Sequence, residues 1–425
     1  MSSFLNDNCK AHCLGCEACV QVCGKTAITM EEDHDGFRYP IIDTDKCVDC
    51  SMCRNVCPID NIPQRYGKDK YVFGGYSLNE DIRFESTSGG AFSEIVNSYC
   101  DENYVIFGAE ANGLEVSHSF ITDKNELGRF RKSKYSQSKI GTAYKDAKRF
   151  MKEGKKVLFS GTPCQIAGLK AFLGTTNQDN LLTVEVVCEG VPSPLYVRKL
   201  DKHIEKKYGA KIKSLDYRYT GKSWLSKGLW DFEQMFIRLL KINSIQNGGG
   251  KWDFQQMQII TEDMKTQLKK DRWFNPFWSI WLKHLMSRPS CYECPFTNSE
   301  RVADITLGDL WGVHIYCPEL YGNNGGASLV IGNTEKGKKV IEKATKNMYG
   351  HELQFEDALK YQGPMRKHIP DNPRRDEFMA DLRSDMDYQQ LTKKWADKPS
   401  IKLLYQKYIW GNRQKVFVWN LFHKK

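Results

Sequence analysis

Residues 155–174 of this 425-residue chain read KKVLFSGTPCQIAGLKAFLG, and they decide what kind of fold to expect. The segment contains a short apolar run at residues 157–159, with the length and composition of a buried strand. Thr162 is a favoured N-cap residue and Pro163 suits the first helical position, so a helix is predicted next. Its apolar side chains recur at helical spacing before Gly174, a typical helix-ending residue: Ile166, Leu169, Phe172 and Leu173.

A second apolar strand follows as LLTVEVV at residues 181–187, and it ends at Cys188. Strand, helix and strand at this spacing predict a βαβ unit with parallel strands. Cys164 follows the C-terminal end of the first strand, and Cys188 follows that of the second. Because those ends share one edge of a parallel sheet, where α/β proteins bind ligands, the two thiols are expected to be neighbours.

The sequence around Cys164 is compatible with more than one role for this cysteine. It stands in the first helical turn, where the helix dipole favours a thiolate, and this suits a nucleophile as well as a metal ligand. No histidine lies at a suggestive position nearby, and a second cysteine at the same edge favours ligation. A buried structural thiol is the ordinary alternative for either cysteine taken singly.

A further pair, Cys291 and Cys294, has the C-x2-C spacing that suits zinc and iron–sulfur sites equally. Together with Cys164 and Cys188 it provides four thiolates, enough for a third 4Fe–4S cluster. Three other cysteines are expected to be free buried thiols: Cys9, Cys100 and Cys317.

Two cysteine runs near the N-terminus share the spacing C-x2-C-x2-C-x3-C: CLGCEACVQVC at residues 13–23 and CVDCSMCRNVCP at residues 47–58. This is the two-cluster ferredoxin arrangement, in which the fourth cysteine of each run serves the other cluster. The predicted ligands of the two 4Fe–4S clusters are Cys13, Cys16, Cys19 and Cys57 for one, and Cys47, Cys50, Cys53 and Cys23 for the other. Zinc is the alternative, but zinc sites typically use two ligand pairs. The head is therefore predicted to transfer electrons.

Length and composition favour a soluble globular protein with two or three domains. The net charge is +10, yet residues 1–60 carry ten acidic and five basic side chains, so an acidic head is expected to dock by charge, within the chain or with a partner. No clustered basic stripe or motif indicates nucleic-acid binding. The chain shows no signal peptide and no apolar run of membrane-spanning length, so a cytoplasmic location is expected. Fifteen cysteines at ligand spacing then indicate metal binding rather than disulfides.

A small loop, STSGG at residues 86–90, precedes a segment with helical character at residues 91–99. Such a loop can present free backbone N–H groups and a positive dipole end to an anion such as a cofactor phosphate. An ordinary helix cap with a permissive glycine pair explains the same residues. The loop alone does not decide between the two.

Taken in order behind the ferredoxin head, six segments resemble the family of deazaflavin-coenzyme hydrogenase/dehydrogenase beta subunits: STSGGAFS, KSKYSQSKIG, SGTPCQIAGLK, CEGVPSP, SCYEC and ADITLGDLWG. The resemblance covers roughly residues 10–345. Members of that family carry FAD and iron–sulfur clusters. They pass electrons between a cluster chain and an organic acceptor, which is the deazaflavin coenzyme in some branches and a chlorophyll derivative in others. Many bacterial relatives belong to surface-polysaccharide pathways.

The resemblance implies FAD in the body of the protein. Residues at the matching positions would contact the flavin or the adjacent cluster: Ser88, Gly89, Gly90, Ser133, Lys134, Tyr135, Gln137, Gly161, Thr162, Gln165, Asp309 and Trp311. A lysine there would stabilise the reduced flavin or the phosphates, although Lys134 is otherwise an ordinary surface residue. Glu189 departs from the family pattern, where histidine is common before GVPSP, and this leaves the acceptor undetermined. No catalytic residue is assigned.

The predicted fold is an α+β, ferredoxin-like two-cluster head followed by an α/β flavin-binding body with parallel βαβ elements. The expected domains are residues 1–66 for the head, 70–178 for the flavin-binding domain, 179–345 for the C-terminal family domain and 346–425 for a basic, aromatic helical region. Residues 224–288 are rich in Trp and Phe, with a Gly-Gly-Gly break at 248–250, and suit either core or acceptor wall. Within them, NPFWSIWLKHLM at residues 275–286 is predicted to form a packed amphipathic helix. The basic C-terminus suits either an interfacial helix or a packed one.

These patterns predict an FAD-dependent iron–sulfur oxidoreductase that exchanges electrons with an organic molecule and with ferredoxin or another redox protein. One alternative is an electron-relay subunit of a hydrogenase or formate dehydrogenase. The other is a non-enzymatic binding module fused to a ferredoxin. Substrate, direction of electron flow and oligomeric state are not indicated by the sequence.

Overall fold

The computed structural model describes residues 3–67, 69–219, 255–264, 266–321 and 326–411, together with residues 415, 418 and 422. Residues 224–254 of the Trp-rich stretch, including the glycine break, lie outside the described residues. So does most of the chain after residue 411.

The α-helices of the described residues are α1 Phe4–Asp7, α2 Ala18–Val22, α3 Met52–Asn55, α4 Glu80–Glu85, α5 Ala91–Tyr99, α6 Ala143–Lys152, α7 Pro163–Leu173, α8 Pro194–Tyr208, α9 Pro276–Trp281, α10 Val313–Tyr316, α11 Pro318–Tyr321, α12 Glu335–Ala344, α13 Phe355–Lys360, α14 Arg375–Arg383, α15 Tyr388–Trp395 and α16 Ile401–Tyr408. The strands are β1 Ile28–Glu32, β2 Arg38–Ile42, β3 Tyr71–Ser77, β4 Tyr104–Asn112, β5 Glu115–Ile121, β6 Lys156–Gly161, β7 Leu181–Val186, β8 Ile212–Tyr219, β9 Gln256–Thr261, β10 Gln267–Asp271, β11 Ile305–Asp309, β12 Ser328–Gly332 and β13 Met348–Glu352. None of these helices has the length and apolar character needed to cross a bilayer.

An eight-stranded mixed sheet forms the centre of the body, in the order β13-β3-β12-β11-β7-β6-β4-β5. Its four consecutive strands β11, β7, β6 and β4 are parallel, and the other pairs are antiparallel. Strands β6 and β7 with α7 between them form the predicted βαβ unit, in the register Val157 opposite Leu181. The carboxyl ends of β6 and β7 therefore lie at the same edge.

Helices cover both faces of this sheet, together with the head on one of them, which explains why its central strands are continuous apolar runs in the sequence. In β6, Val157 and Phe159 face one layer with residues of α6, α7 and the head. Leu158 faces the opposite layer with residues of α5 and α12. All three side chains are fully buried.

The acidic head consists of the β1–β2 hairpin, α1–α3 and the two cysteine runs, and it docks on the body. Arg198 of α8 pairs with Glu32, and Arg383 of α14 pairs with Asp35. The side-chain oxygen of Gln21 accepts hydrogen bonds from the first amides of α6. Charge-guided docking thus occurs within the chain.

A smaller antiparallel sheet, β10-β9-β8, packs with α8, α9 and the α14–α15 pair. The predicted helix in NPFWSIWLKHLM is confined to the six residues of α9, and a turn follows in which His284 takes a left-handed φ of 55°. Phe277, Trp278 and Trp281 of α9 are buried. In the C-terminal helix α16, by contrast, Ile401 is 87% exposed.

Candidate metal centres and cofactor cavity

Four cysteines from distant parts of the body line one cavity of about 160 Å³, and we call them the body quartet: Cys164, Cys188, Cys291 and Cys294. Cys164 lies in the first turn of α7, and Cys188 follows β7. Cys291 ends a 3₁₀ turn, Pro289–Cys291, and Cys294 follows three residues later. The topology of the sheet therefore brings the two isolated cysteines to the C-x2-C pair.

Burial dominates the acid–base chemistry of the body quartet. Burial, with the neighbouring sulfurs adding to its effect, raises the pKa of Cys188 and of Cys294 to about 12. The pKa of Cys164 is also raised, although the Thr162 hydroxyl and Arg288 oppose the effect of burial. The thiolate expected from the helix dipole at Cys164 is therefore outweighed by desolvation. A cation or cluster would be needed to hold four thiolates here.

The first head quartet comprises Cys13, Cys16, Cys19 and Cys57, which line a small cavity of about 30 Å³ between the head helices. Cys16 is buried against α7, where a Cβ atom on Gly168 would lie 3.1 Å from the Cys16 sulfur. Glycine at this position thus allows the head cysteine to approach the helix that carries Cys164. The thiols of Cys16 and Cys164 are close enough for Cys164 to raise the pKa of Cys16.

The second head quartet comprises Cys23, Cys47, Cys50 and Cys53, and it lies nearer the surface. Cys50 is exposed, and the other three are half-buried. Cys23 follows α2 directly, and its sulfur accepts a hydrogen bond from the Ala27 amide at 3.4 Å. Cys53 lies in α3, which packs against α2, and it is close enough to Cys19 to influence its pKa.

The spacing of the sulfurs distinguishes a cluster from a single ion. Four thiolates around one zinc ion would lie about 3.8 Å apart. Within the described part of the chain, three or more ligand atoms lie within 4.8 Å of one another in one group, Cys317, Glu319 and His351. Among the described residues, no three sulfurs of a quartet lie within 4.8 Å of one another, and an all-sulfur donor set is the kind that 4Fe–4S clusters use.

Arg288 lies between the first head quartet and the body quartet and is almost completely buried. Its guanidinium donates to the carbonyl oxygens of Cys13 at 2.8 Å and Arg38 at 2.9 Å, and to the side-chain oxygen of Gln137 at 3.1 Å. It also stacks over Tyr39 at 4.4 Å. Proximity to Cys13 and Cys291 holds the pKa of Arg288 above its ordinary value. This buried cation offsets negative charge at both quartets.

A larger cavity of about 390 Å³ adjoins the body quartet, and we call it the cofactor cavity. Cys188, Glu189, Gly190 and Val191 line both spaces. Eleven of the twelve residues named by the family resemblance line the cofactor cavity: Ser88, Gly90, Ser133, Lys134, Tyr135, Gln137, Gly161, Thr162, Gln165, Asp309 and Trp311.

Gly89 does not line the cofactor cavity. Its backbone is packed on the sheet, where a Cβ atom would lie 2.5 Å from the Gly75 carbonyl oxygen and 2.8 Å from the Ser328 amide. Gly90, with a left-handed φ of 90°, turns the chain into α5. The STSGG loop is fixed further by the Ser88 hydroxyl, which donates to the Ala327 carbonyl, and by Thr87, which accepts from the Ser133 amide. The close packing of the two glycines places the N-terminus of α5 at the cavity.

Two predicted flavin residues direct their polar atoms elsewhere. The Lys134 ammonium donates to the carbonyl oxygens of Arg129 and Arg131 at 3.0 and 2.7 Å, and burial lowers its pKa to about 8. The Gln137 amide donates to the Leu14 carbonyl of the head at 2.8 Å. Gln137 thus connects the wall of the cofactor cavity to the first head quartet, a role that the sequence does not indicate.

A chain of hydrogen bonds lies behind the cavity wall and starts at His118, which sequence reasoning missed. The His118 Nε2 lies 2.9 Å from the Ser160 carbonyl, which can only accept, so Nε2 carries the proton and Nδ1 accepts from the Ser138 hydroxyl. Burial lowers the His118 pKa to about 4, so the ring is neutral at pH 7.

The same chain continues to the body quartet. Gln165 donates to the Ser138 oxygen at 2.8 Å and accepts from the Thr162 amide at 3.0 Å. The Thr162 hydroxyl then lies 3.2 Å from the Cys164 sulfur and 3.1 Å from the Gln165 side-chain oxygen. The hydroxyl has one hydrogen to donate to these two acceptors, and when Cys164 is a thiolate, which cannot donate, that hydrogen is directed to the sulfur.

Two arginines on the opposite wall, the buried Arg218 and the half-buried Arg272, were also missed by sequence reasoning, because isolated arginines carry no pattern. Arg218 pairs with Asp309 at 2.6 Å, and Arg272 stacks over Trp278 at 4.5 Å. Among the described residues, the buried Nε of each arginine has no hydrogen-bond partner. Glu189 faces Arg272, and burial raises its carboxyl pKa. Both arginines line the cofactor cavity, where their positive charge suits a polar or anionic group.

The three unassigned cysteines are separate from the quartets. Cys100 and Cys317 are buried, as expected, whereas Cys9 is exposed. Cys9 caps the short 3₁₀ turn Lys10–His12 at the surface of the head, where no apolar layer covers it. The expectation of a buried thiol is wrong at that position.

Comparison with known proteins gives two matches to family models. Residues 154–357 match the family described as the C terminus of the beta subunit of coenzyme F420 hydrogenase/dehydrogenase, and residues 12–61 match the 4Fe-4S dicluster domain. Among solved structures, the chain is similar to one from the F420-reducing NiFe hydrogenase complex of Methanosarcina barkeri, determined as a xenon derivative. That similarity has 16% sequence identity and a TM-score of 0.41, and covers 79% of this chain and 93% of the other. No curated protein matches.

Proposed function

Because the chain belongs to the coenzyme F420 hydrogenase/dehydrogenase beta-subunit family and carries an N-terminal 4Fe–4S dicluster domain, we propose that it is an iron–sulfur flavoprotein oxidoreductase. In this proposal the three quartets hold 4Fe–4S clusters, and the cofactor cavity holds FAD. Bound together, these groups supply electron transfer between a protein donor or acceptor and an organic molecule.

The observation that carries the proposal is the shared wall between the body quartet and the cofactor cavity. Cys188 contributes its sulfur to the quartet, and the next three residues line both spaces. A cluster and an organic cofactor would be separated there by a single turn of backbone. The residues that hold one group would therefore also orient the other.

The quartets follow one another from the surface to the cavity. Cys50 is exposed, with the exposed side chains of Val48 and Met52 beside it, which gives a redox partner access to the second head quartet. Cys53 approaches Cys19 of the first head quartet, and Cys16 of that quartet approaches Cys164. The order supports a relay in which the acidic head exchanges electrons with another protein and the body with an organic molecule.

The cofactor cavity fits FAD in size and donors. Its volume of about 390 Å³ lies in the range of cofactor pockets. The positive charges of Arg218 and Arg272, which line the cavity, suit flavin carbonyls or phosphates, and the N-terminus of α5 suits an anion. We propose that Ser88, Gly90, Ser133, Tyr135, Gly161 and Trp311 contact the flavin directly. Lys134 and Gln137 would shape the site through the backbone and the head, and Gly89 would act only through the loop.

The domain division is part of the same proposal: a head at 1–66, a flavin-binding part at 70–178, the family's C-terminal part at 179–345 and a helical region at 346–425. The eight-stranded sheet takes strands from both middle parts, and its edge strand β13 comes from the start of the last region, which is therefore not wholly helical. We also propose a cytoplasmic location, because all fifteen cysteines are free and such thiols persist in a reducing compartment.

The test is the cofactor content and activity of the full chain after strictly anaerobic purification. We expect one FAD per chain, and reduction of a low-potential quinone dye by reduced ferredoxin. A matched control is the FAD-stripped protein, which should retain its iron and lose the dye reduction. A chain that retains its iron but neither copurifies with nor binds added FAD would contradict the flavoprotein assignment and favour a ferredoxin-fused binding module.

The family description, which is that of a subunit, favours one second candidate: an electron-relay subunit of a hydrogenase or dehydrogenase complex. The discriminating experiment is purification of the tagged chain from its native cells under anaerobic conditions. A catalytic subunit recovered in equal amounts would support the relay. Recovery of the chain alone, with dye reduction intact, would support the independent oxidoreductase.

A further inference from the structure

The geometry points to a fourth metal site, separate from the cysteine quartets, in which Cys317, Glu319 and His351 bind a zinc ion. The His351 Nε2 lies 3.4 Å from the Cys317 sulfur and 3.2 Å from a Glu319 carboxylate oxygen. All three ligand atoms lie within 4.8 Å of one another.

These separations match the distances between ligand atoms that coordinate one zinc ion. Zinc–sulfur bonds of about 2.3 Å and zinc–nitrogen or zinc–oxygen bonds of about 2.0–2.1 Å place tetrahedral S and N ligands about 3.5 Å apart, and N and O ligands about 3.3 Å apart. The observed distances of 3.4 and 3.2 Å need little adjustment to admit the ion. A thiol, an imidazole and a carboxylate together also select zinc over magnesium or calcium.

The arrangement differs from a nucleophilic triad. In a triad the histidine uses one ring nitrogen towards the nucleophile and the other towards the orienting carboxylate. Here the same nitrogen, Nε2, faces both the Cys317 sulfur and the Glu319 carboxylate. Three ligand atoms that face one point have the geometry needed to coordinate a metal ion. Cys317 is moreover 3% exposed, which leaves little access for a substrate.

Rigid elements hold the three ligands. Cys317 is the C-cap residue of α10 and Glu319 lies in α11, with Pro318 between them to restrict the backbone. His351 lies on β13, paired opposite Gly74 of β3. The Glu319 and His351 side chains are 40% and 45% exposed, so a water molecule can complete the coordination from the solvent side.

The site would brace one wall of the cofactor cavity. Trp311 lines that cavity, and α10 begins two residues later. The Tyr316 hydroxyl donates to the Trp311 carbonyl at 3.1 Å, and Cys317 follows Tyr316. A zinc ion ties this segment to the edge strand β13. It therefore fixes the position of Trp311 without contacting the cofactor.

The test is zinc binding to the iron-loaded full chain, measured by metal analysis and by X-ray absorption at the zinc edge, which the iron does not obscure. We expect one zinc per chain with one sulfur ligand and the remaining ligands nitrogen or oxygen. His351→Ala and Glu319→Gln, both at exposed positions, should weaken zinc binding by at least about 100-fold while the iron content stays unchanged. Cys317→Ser should do the same and shift the shell to nitrogen and oxygen only.

Matched controls are His34→Ala, an exposed histidine of the head, and Cys100→Ser, a buried thiol elsewhere. Both should bind zinc as the wild type does. Iron content reports the quartets and flavin content the cofactor cavity, so failure of the zinc site is distinguishable from failure of the proposed function. Absence of zinc binding by the iron-loaded chain, or an all-sulfur shell unaffected by the His351 and Glu319 changes, would overturn the assignment.

Discussion

The second head quartet and the body quartet each consist of four cysteine sulfurs, but the first lies near the surface and the second is buried. Cys50 of the former is exposed, beside the exposed Val48 and Met52. Burial in the latter raises the pKa of Cys188 to about 12. The comparison shows that the same donor set can lie at the surface or in the interior, and that burial rather than cysteine spacing distinguishes the two quartets. An exposed quartet suits exchange with another protein, and a buried one suits transfer inside the chain.

The largest expected effect is that of replacing Arg288, the buried cation beside the body quartet. Arg288→Met removes three charged hydrogen bonds, two of them to head carbonyls, and leaves those oxygens buried without a donor. We expect the free energy of unfolding to fall by about 3–5 kcal/mol, as when a buried charge partner is removed. Urea unfolding followed by cluster absorbance measures this.

The control for Arg288 is Arg149→Met on the exposed side of α6, which should change stability by less than about 0.5 kcal/mol. Equal stability of the two variants would show that Arg288 does not hold the head to the body.

Exposure should also separate the quartets in their sensitivity to air. We expect iron release to a chelator in air to be biphasic, with about one third of the iron lost first, because the second head quartet is the most exposed. Cys50→Ser should lack the fast phase. Release in a single phase from the wild type would contradict the assignment of different environments to the quartets.

Sequence reasoning could group the cysteines because clusters impose spacing on their ligands. It placed Cys164 and Cys188 at one edge of a parallel sheet, and the structure brings them to Cys291 and Cys294. It could not identify Arg288 or His118, because a lone buried cation or imidazole leaves no periodic or spaced pattern.

Two details of the structure could not be predicted for a similar reason. Gln137 lines the cofactor cavity, but its amide bonds to the head, and only tertiary packing decides which way that amide points. The helix in NPFWSIWLKHLM is shorter than predicted because His284 takes a left-handed turn within it. The structure identifies the polar partners of each segment, which composition does not specify.

A smaller effect is expected from the Thr162 hydroxyl on the reduction potential of the cluster proposed at the body quartet. The Thr162 hydroxyl, 3.2 Å from the Cys164 sulfur, stabilises the more negative reduced state by donating a hydrogen bond. Thr162→Val should therefore lower the reduction potential of that cluster by about 40–60 mV, the equivalent of one hydrogen bond. Potentiometric titration followed by EPR gives the value. Thr162→Ser, which keeps the hydroxyl, should retain the wild-type potential, and an unchanged potential in both variants would refute the contact.

The smallest effect concerns pH at the cofactor cavity. Burial lowers the pKa of Lys134 from 10.5 to about 8, so between these values the unfolded chain holds a proton that the folded chain has lost. The contribution of Lys134 to the free energy of unfolding therefore rises with pH between about pH 8 and pH 10.5. Relative to Lys134→Met, the melting temperature of the wild type should gain about 2 °C between pH 8 and pH 10. A constant difference between the two proteins would show that Lys134 is solvated.

The central claim is that Cys164 and its three partners hold a cluster between the head and the cofactor cavity. The most direct measurement is the iron content of the anaerobically purified full chain and of Cys164→Ser, with Cys100→Ser as the matched buried control. We predict about twelve irons in the wild type and the control, and about eight in Cys164→Ser, with the head clusters intact by EPR. About eight irons in all three proteins would contradict the account and leave the cofactor cavity with no cluster beside it.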